Sequence, residues 1–147
     1  MIRPFTFSDM DRILQIEVQS FPKSPYDWAT FVNLHHLYRE TFLVYLAPAE
    51  DFQKDQILGY LVFSKDGHII SIAVDPSHRR RGVGKKLLER AMAEPAIKRL
   101  WAEVRRSNQV AQAFYFSMGF RIIGLVPNYY GNEDALIVQW TPSLRSP

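Results

Sequence analysis

The chain contains no cysteine. Disulfides, a thiolate nucleophile and a cysteine-ligated zinc are therefore excluded. It also lacks any apolar run of membrane-spanning length, and its opening residues Met1-Ile2-Arg3-Pro4 carry no apolar signal core. Charge of one sign is scarce as well: 18 Lys and Arg stand against 15 Asp and Glu, a net of +3. So small an excess argues against a nucleic-acid partner, although His78-Arg79-Arg80-Arg81 is a local basic cluster. Internal repeats and low-complexity tracts are missing too. These absences lead to the expectation of a cytoplasmic protein with neither membrane nor nucleic acid as partner.

Aromatic residues are plentiful: ten Phe, seven Tyr and three Trp in 147 residues. They are enough to fill a core and line a groove. The length is that of one domain, so residues 1–147 are expected to form a single unit.

The periodicity predicts an alternation of strands and helices. Residues 2–5 read as a short strand. Ser8 and Asp11 read as a capping box opening a helix that carries Ile13, Leu14, Ile16 and Val18. Phe21-Pro22-Lys23-Ser24-Pro25 breaks it, and residues 26–38 form a second helix with Phe31, Leu34 and Tyr38 at helical spacing. Residues 42–47 and 57–64 are strands flanking a polar loop at 48–56. After the turn Lys65-Asp66-Gly67, residues 68–74 form a strand whose near-continuous apolar run suits burial on both faces.

Gly84, Leu87, Leu88, Ala91 and Met92 make the stripe of an amphipathic helix. Residues 100–104 are a strand. Ser107 or Asn108 caps a helix bearing Val110, Ala111, Phe114, Tyr115 and Met118, and Gly119 stops it. Residues 120–126 and 135–140 are the last strands, and the tail 141–147 is expected to fray. The order is β-α-α-β-β-β-α-β-α-β-β, an α/β chain with a mixed sheet.

The most informative segment is Ile72-Ala73-Val74-Asp75-Pro76-Ser77-His78-Arg79-Arg80-Arg81-Gly82-Val83-Gly84-Lys85. It joins a strand, a glycine-bearing turn and a helix start. Gly82 and Gly84 admit a bulky anion close to the backbone. The helix start adds unpaired amides and partial positive charge, and Arg79, Arg80, Arg81 and Lys85 add full charges. Together these describe a pyrophosphate site. A dinucleotide fingerprint would need a third glycine, and a P-loop would need Ser or Thr where Lys86 stands.

With Arg79-Arg80-Arg81-Gly82-Val83-Gly84 matching [QR]-x-x-G-x-[GA], the chain resembles the GCN5-related N-acetyltransferase (GNAT) superfamily. Trp101-Ala102-Glu103-Val104-Arg105-Arg106-Ser107-Asn108 with Ala111, Phe114, Tyr115, Gly119 and Phe120 narrows this, as does the stretch from Asn128 to Ala135. Both resemble protein N-terminal acetyltransferases of the ribosomal-protein-alanine (RimI) type and their archaeal Ard1-like relatives.

The resemblance implies a three-layer fold whose central, mostly antiparallel, twisted sheet splays between the fourth and fifth strands. It implies acetyl-CoA as co-substrate, no metal, and a protein or peptide N-terminus as acceptor. Glu103 is the expected general base, directly or through water, and burial among Trp101, Phe114 and Tyr115 would raise its pKa. Tyr115 is the expected acid for the departing thiolate. A backbone amide among Ile72, Ala73 and Val74, most readily that of Val74, would polarise the thioester carbonyl. Asn108 resembles the residue that contacts the pantetheine arm, and Ala111 and Phe114 line the same helix.

Phe21, Pro22 and Tyr26 on one loop, and Tyr129 and Tyr130 on another, are the expected acceptor-binding residues. Glu133 and Asp134 either orient the second loop or solvate its end. The adjacent His35 and His36 lack metal-ligand spacing and read as surface or packing residues. Two other readings stay open. One is acetylation of lysine or a small amine. The other is a non-catalytic acyl-CoA-binding module, which needs neither Glu103 nor Tyr115.

Overall fold

The computed structural model describes residues 1–47 and 56–142. The expected loop at 48–56, apart from Gln56, and residues 143–147 of the expected tail lie outside the described residues. The chain folds as β1 (Ile2–Pro4), α1 (Met10–Ser20), α2 (Trp28–Leu37), β2 (Phe42–Ala47), β3 (Gln56–Phe63), β4 (Ile69–Val74), α3 (Val83–Met92), β5 (Leu100–Arg105), α4 (Gln109–Ser117), β6 (Arg121–Val126) and β7 (Ala135–Trp140). This is the element order expected from the periodicity. The described strands form two sheets, ordered β1-β2-β3-β4 and β5-β7-β6. The ladder is thus interrupted between the fourth and fifth strands. Two compact units result: Met1–Ser64 with Ile70–Ala91, and Lys65–Ile69 with the chain from Met92 onward.

In the first unit, β1 pairs antiparallel with β2, and β2 antiparallel with β3. Its core is aromatic. Phe5 stacks on Phe42 at 4.2 Å, and Phe31 meets Phe42 at 5.9 Å and Tyr60 edge-on at 5.6 Å. Helix α1 adds Met10, Ile13 and Ile16 to this cluster.

Two local expectations change. The chain enters α1 through a 3-10 turn at Phe7–Asp9, and the capping pair there is Thr6 and Asp9 rather than Ser8 and Asp11: the Asp9 carboxylate takes the Thr6 N–H at 2.8 Å. Val18 is 53% exposed, whereas its neighbour Glu17 is buried. The inner face follows Met10, Ile13 and Ile16, and the helical period carries it on to position 17.

Gly59 explains how α3 reaches β3. A Cβ there would sit 2.9 Å from the Ala73 carbonyl oxygen and 3.0 Å from Val83 Cγ1. Only glycine allows that approach. Leu87 and Leu88 are then fully buried.

In the second unit, β7 pairs antiparallel with both β5 and β6. Strand β5 alternates strictly: Leu100, Ala102 and Val104 are buried, while Trp101, Glu103 and Arg105 occupy the other face. Helix α4 contributes Tyr115, which packs on Phe120 at 5.0 Å. Val110, expected on the apolar face, is 75% exposed instead. Gly119 takes φ +90° just past the helix, as its C′ position requires.

Candidate active site

In the first unit, β4 leads into the basic turn. Asp75 ends the strand and organises the start of that turn. Its carboxylate accepts the Ser77 backbone N–H and the Ser77 hydroxyl, each at 2.9 Å, and is paired with Arg12 from α1. His78 Nδ1 lies 3.5 Å from the same carboxylate. Burial by itself would raise the pKa of Asp75, but the Arg12 and Ser77 hydrogen bonds outweigh it and bring the value down to about 2.

Beyond this anchor, Arg80 and Gly82 both take positive φ, +67° and +79°. An arginine in that region is uncommon and marks a constrained turn. Around Gly82 a Cβ would meet no atom within 4 Å, so the glycine answers a dihedral demand and leaves the approach open. Gly84 is buried inside α3. The Lys86 N–H bonds back to the Gly82 carbonyl at 3.0 Å, which puts the amides of Val83, Gly84 and Lys85 in the first turn, where a helix has no internal acceptors for them. Arg79, Arg80, Arg81 and Lys85 are exposed around this end. A diphosphate fits such a mouth by charge and by donor supply.

Ile72, Ala73 and Val74 belong to β4, the terminal strand of its sheet. Ala73 is buried and the two residues flanking it are half-buried. In the same unit, Phe21 caps α1, its N–H donating to the Glu17 carbonyl at 2.8 Å, and Pro22 is exposed. Tyr26 is half-buried, and its ring meets Phe31 edge-on at 5.8 Å.

The second unit brings Glu103, Tyr115, Tyr129 and Tyr130 together electrostatically. Burial is the main cause that raises the pKa of each tyrosine, and the charge of Glu103 adds to it in all three. Tyr130 is pushed up to about 12 by burial, then by Tyr129 and Glu103, with Arg105 opposing. The tyrosine pair is T-shaped at 4.9 Å. Arg105 lies over the Tyr130 ring at 4.1 Å and donates to Glu133 at 3.0 Å. Glu133 also accepts the Ser107 N–H and hydroxyl, at 3.1 and 3.0 Å. Asp134 accepts from Arg106 and from the Asn128 N–H. Both acids therefore fasten the loop carrying the tyrosines. Asn108 caps α4, its Oδ1 accepting the Ala111 N–H at 3.0 Å, which leaves its amide NH2 as a donor. Phe114 is half-buried beside Tyr115, at 5.5 Å.

Sequence reasoning missed His68. Its Nε2 lies 2.9 Å from Glu103 Oε2, and its ring stacks on Trp101 at 3.9 Å and 8°. It also missed the buried Glu17, although an acid on the stripe begun by Met10 and Ile13 was a visible signal. His35, by contrast, packs edge-on against Phe5 and Phe7, as expected of a packing residue.

Residues 10–120 match the model of the acetyltransferase (GNAT) family. The chain belongs to that family. This acetyltransferase is 33% identical to an uncharacterized N-acetyltransferase of Methanocaldococcus jannaschii, over all of its own length and 96% of the relative's. It is 32% identical to a putative ribosomal protein bS18-alanine N-acetyltransferase of Bacillus subtilis, covering 93% of this chain and 92% of that one. Its structure is similar to the crystal structure of Ard1 from Thermoplasma volcanium, with a TM-score of 0.82 over 97% of each chain at 28% identity. The acetyltransferase thus has the mixed α/β GNAT fold expected of it. Among its described residues, no helix is long and apolar enough to cross a membrane.

Proposed function

We propose that this acetyltransferase moves the acetyl group of acetyl-CoA to the N-terminal α-amino group of a protein, acting in the cytoplasm as a single catalytic domain. The observation that carries this reading is that Glu103, on the face of β5 opposite Leu100 and Val104, lies near enough to Tyr115, Tyr129 and Tyr130 for its charge to act on all three phenols. The bS18-alanine relative, matched over nearly its full length, supports the choice of acceptor.

Acetyl-CoA supplies an activated acyl group as a thioester. Val83, Gly84 and Lys85 offer amides, and Arg79, Arg80 and Arg81 offer charge, for its diphosphate. Ile72, Ala73 and Val74 offer edge backbone to the pantetheine arm, and the Val74 amide serves the carbonyl. The Asn108 amide, Ala111 and Phe114 are offered to the same arm.

Glu103 takes the ammonium proton and passes it to water. An α-amine with pKa about 7.7–8.0 needs only modest help of this kind. The new C–N bond forms as the C–S bond breaks, Tyr115 supplies a proton to the departing sulfur, and the remaining extra proton shed by the nitrogen is returned through solvent to the Tyr115 phenolate. The raised pKa of Tyr115 keeps it protonated until that moment. Phe21, Pro22 and Tyr26, with Tyr129 and Tyr130, receive the first residues of the acceptor.

The deciding experiment offers acetyl-CoA with a panel of peptides differing in their free N-terminal residues, beside polyamines and an N-terminally blocked lysine peptide. Transfer to the free N-termini is expected. Transfer confined to the polyamine or the lysine would replace this reading.

A further inference from the structure

We infer that His68 is a positioning residue for Glu103, donating its Nε2–H to Oε2 and leaving Oε1 as the oxygen that takes the amine's proton. The inference deepens the proposed acetyl transfer and rests on Glu103 being its base. Three independent features of the second unit converge on it.

The first is register. His68 forms a parallel bridge with Trp101, and the Trp101 N–H donates to the Gly67 carbonyl at 2.9 Å. Trp101 and Glu103 are two apart on β5 and so project to one face. A residue bridged to Trp101 therefore lies beside both side chains.

The second is the ring stack. Imidazole and indole are nearly parallel at 3.9 Å, and the Arg99 guanidinium lies over the same indole at 5.2 Å. The stack restricts the two torsions of His68 and directs its edge to the carboxylate. Glu103 has three torsions of its own, and a hydrogen bond already in place removes much of that freedom before the amine arrives.

The third is the turn that delivers His68. Gly67 has φ +98°, and a Cβ on it would fall 1.8 Å from the Arg99 carbonyl oxygen. The backbone passes β5 too closely for any side chain. Surface packing would not require such an approach; bringing residue 68 onto the Trp101 and Glu103 face does.

A histidine N–H on one carboxylate oxygen is the arrangement that orients catalytic dyads elsewhere, with the roles of acid and imidazole exchanged. Here the carboxylate is the reacting group and the imidazole the holder. Among the described residues His68 engages one oxygen, Oε2, so the base keeps lone pairs for the substrate.

The test compares His68→Phe, which keeps a flat ring on Trp101 but removes the donor, with His68→Gln, whose amide can donate from a similar reach. His68→Phe is expected to lower kcat roughly tenfold to a hundredfold, with KM for acetyl-CoA within about twofold of the parent, and His68→Gln to recover most of the loss. A merely structural His68 would give the opposite pattern, with Phe retaining activity and Gln losing it, and that result overturns the inference.

A second readout needs no turnover and no variant of His68. In the intact protein, imidazole 15N–1H spectra should show the Nε2–H tautomer, with a proton signal that moves in Glu103→Ala. An Nδ1–H tautomer, or a signal indifferent to Glu103→Ala, also overturns it. If the accepted amine proves to be lysine or a polyamine, the N-terminal reading falls, while the same kcat comparison on that amine still decides the role of His68.

Discussion

The buried carboxylate of Glu17 accepts the backbone N–H of Tyr26 at 2.9 Å and the hydroxyl of Tyr60, which in turn bonds Ser71 Oγ at 2.8 Å. One side chain on α1 thus ties the expected acceptor loop to the two strands β3 and β4. Burial dominates its ionisation and raises its pKa above 4.5 against the pull of those hydrogen bonds, while the Tyr60 phenol is raised well above 10 by burial and by Glu17.

Glu17→Ala should destabilise the protein by about 2–4 kcal/mol, because it leaves a cavity among buried side chains and takes from the Tyr60 hydroxyl and the Tyr26 amide the acceptor they share, with Ser71 alone left to Tyr60. Urea unfolding measures it. Glu17→Gln has a subtler signature. A carboxyl whose folded pKa lies above its unfolded one favours the fold most when protonated, and that contribution fades as pH rises past 4.5 through the folded value. The difference in Tm between Glu17→Gln and the parent should therefore move in favour of Gln between acidic and neutral pH.

Asp75 carries the opposite sign. Its folded pKa of about 2 lies below the ordinary 3.8, so its contribution is present above 3.8 and is lost as pH falls from there toward 2. Asp75→Asn should cost roughly 2 kcal/mol near neutrality and almost nothing at pH 2. Denaturant titrations at the two pH values check this. Because Asp75 also holds Ser77 before the basic turn, the variant should bind CoA more weakly, as calorimetry would show.

Arg79→Ala should raise the apparent KM for acetyl-CoA severalfold while leaving kcat near the parent value, since phosphate contacts bind substrate and transition state alike. Gly82→Ala should do the same and cost about 1 kcal/mol of stability from its positive φ alone, because no neighbouring atom opposes the added methyl. Steady-state kinetics with varied acetyl-CoA separates the two parameters.

Glu103→Gln should lower kcat by roughly tenfold to a thousandfold with CoA affinity near normal. The deficit should shrink as pH rises through about 8, where the α-amine becomes neutral without help. Tyr115→Phe should fall at the mild end of that range: a phenol with a raised pKa is a reluctant acid toward a thiolate of pKa about 8.5. Rate–pH profiles of the two variants test both statements.

Gly67→Ala should destabilise by more than about 2 kcal/mol, since its Cβ would stand 1.8 Å from backbone and its φ of +98° disfavours any other residue. Thermal melting measures the loss.

Much of this was legible in the chain itself. The stripe Leu87, Leu88, Ala91 marked α3, alternation along residues 100–105 put Glu103 on the face away from Leu100 and Val104, and Gly119 marked the end of α4. The basic turn was readable because its glycines and arginines are contiguous. Each of these signals lies within about two turns of backbone, where steric and hydrogen-bonding rules act on neighbours alone.

The tertiary structure decided which distant groups share a proton or a charge. His68 and Glu103 are 35 residues apart, Glu17 and Tyr60 are 43, and Arg12 and Asp75 are 63. It also decided that Glu17 and not Val18 turns inward. No periodicity encodes such pairs, because they arise only when strands and helices pack, and burial then sets both the partner and the proton affinity of each group. The amino-acid order by itself determined the elements, the glycine-bearing basic turn and the face on which Glu103 stands; packing alone brought the His68 imidazole to that carboxylate.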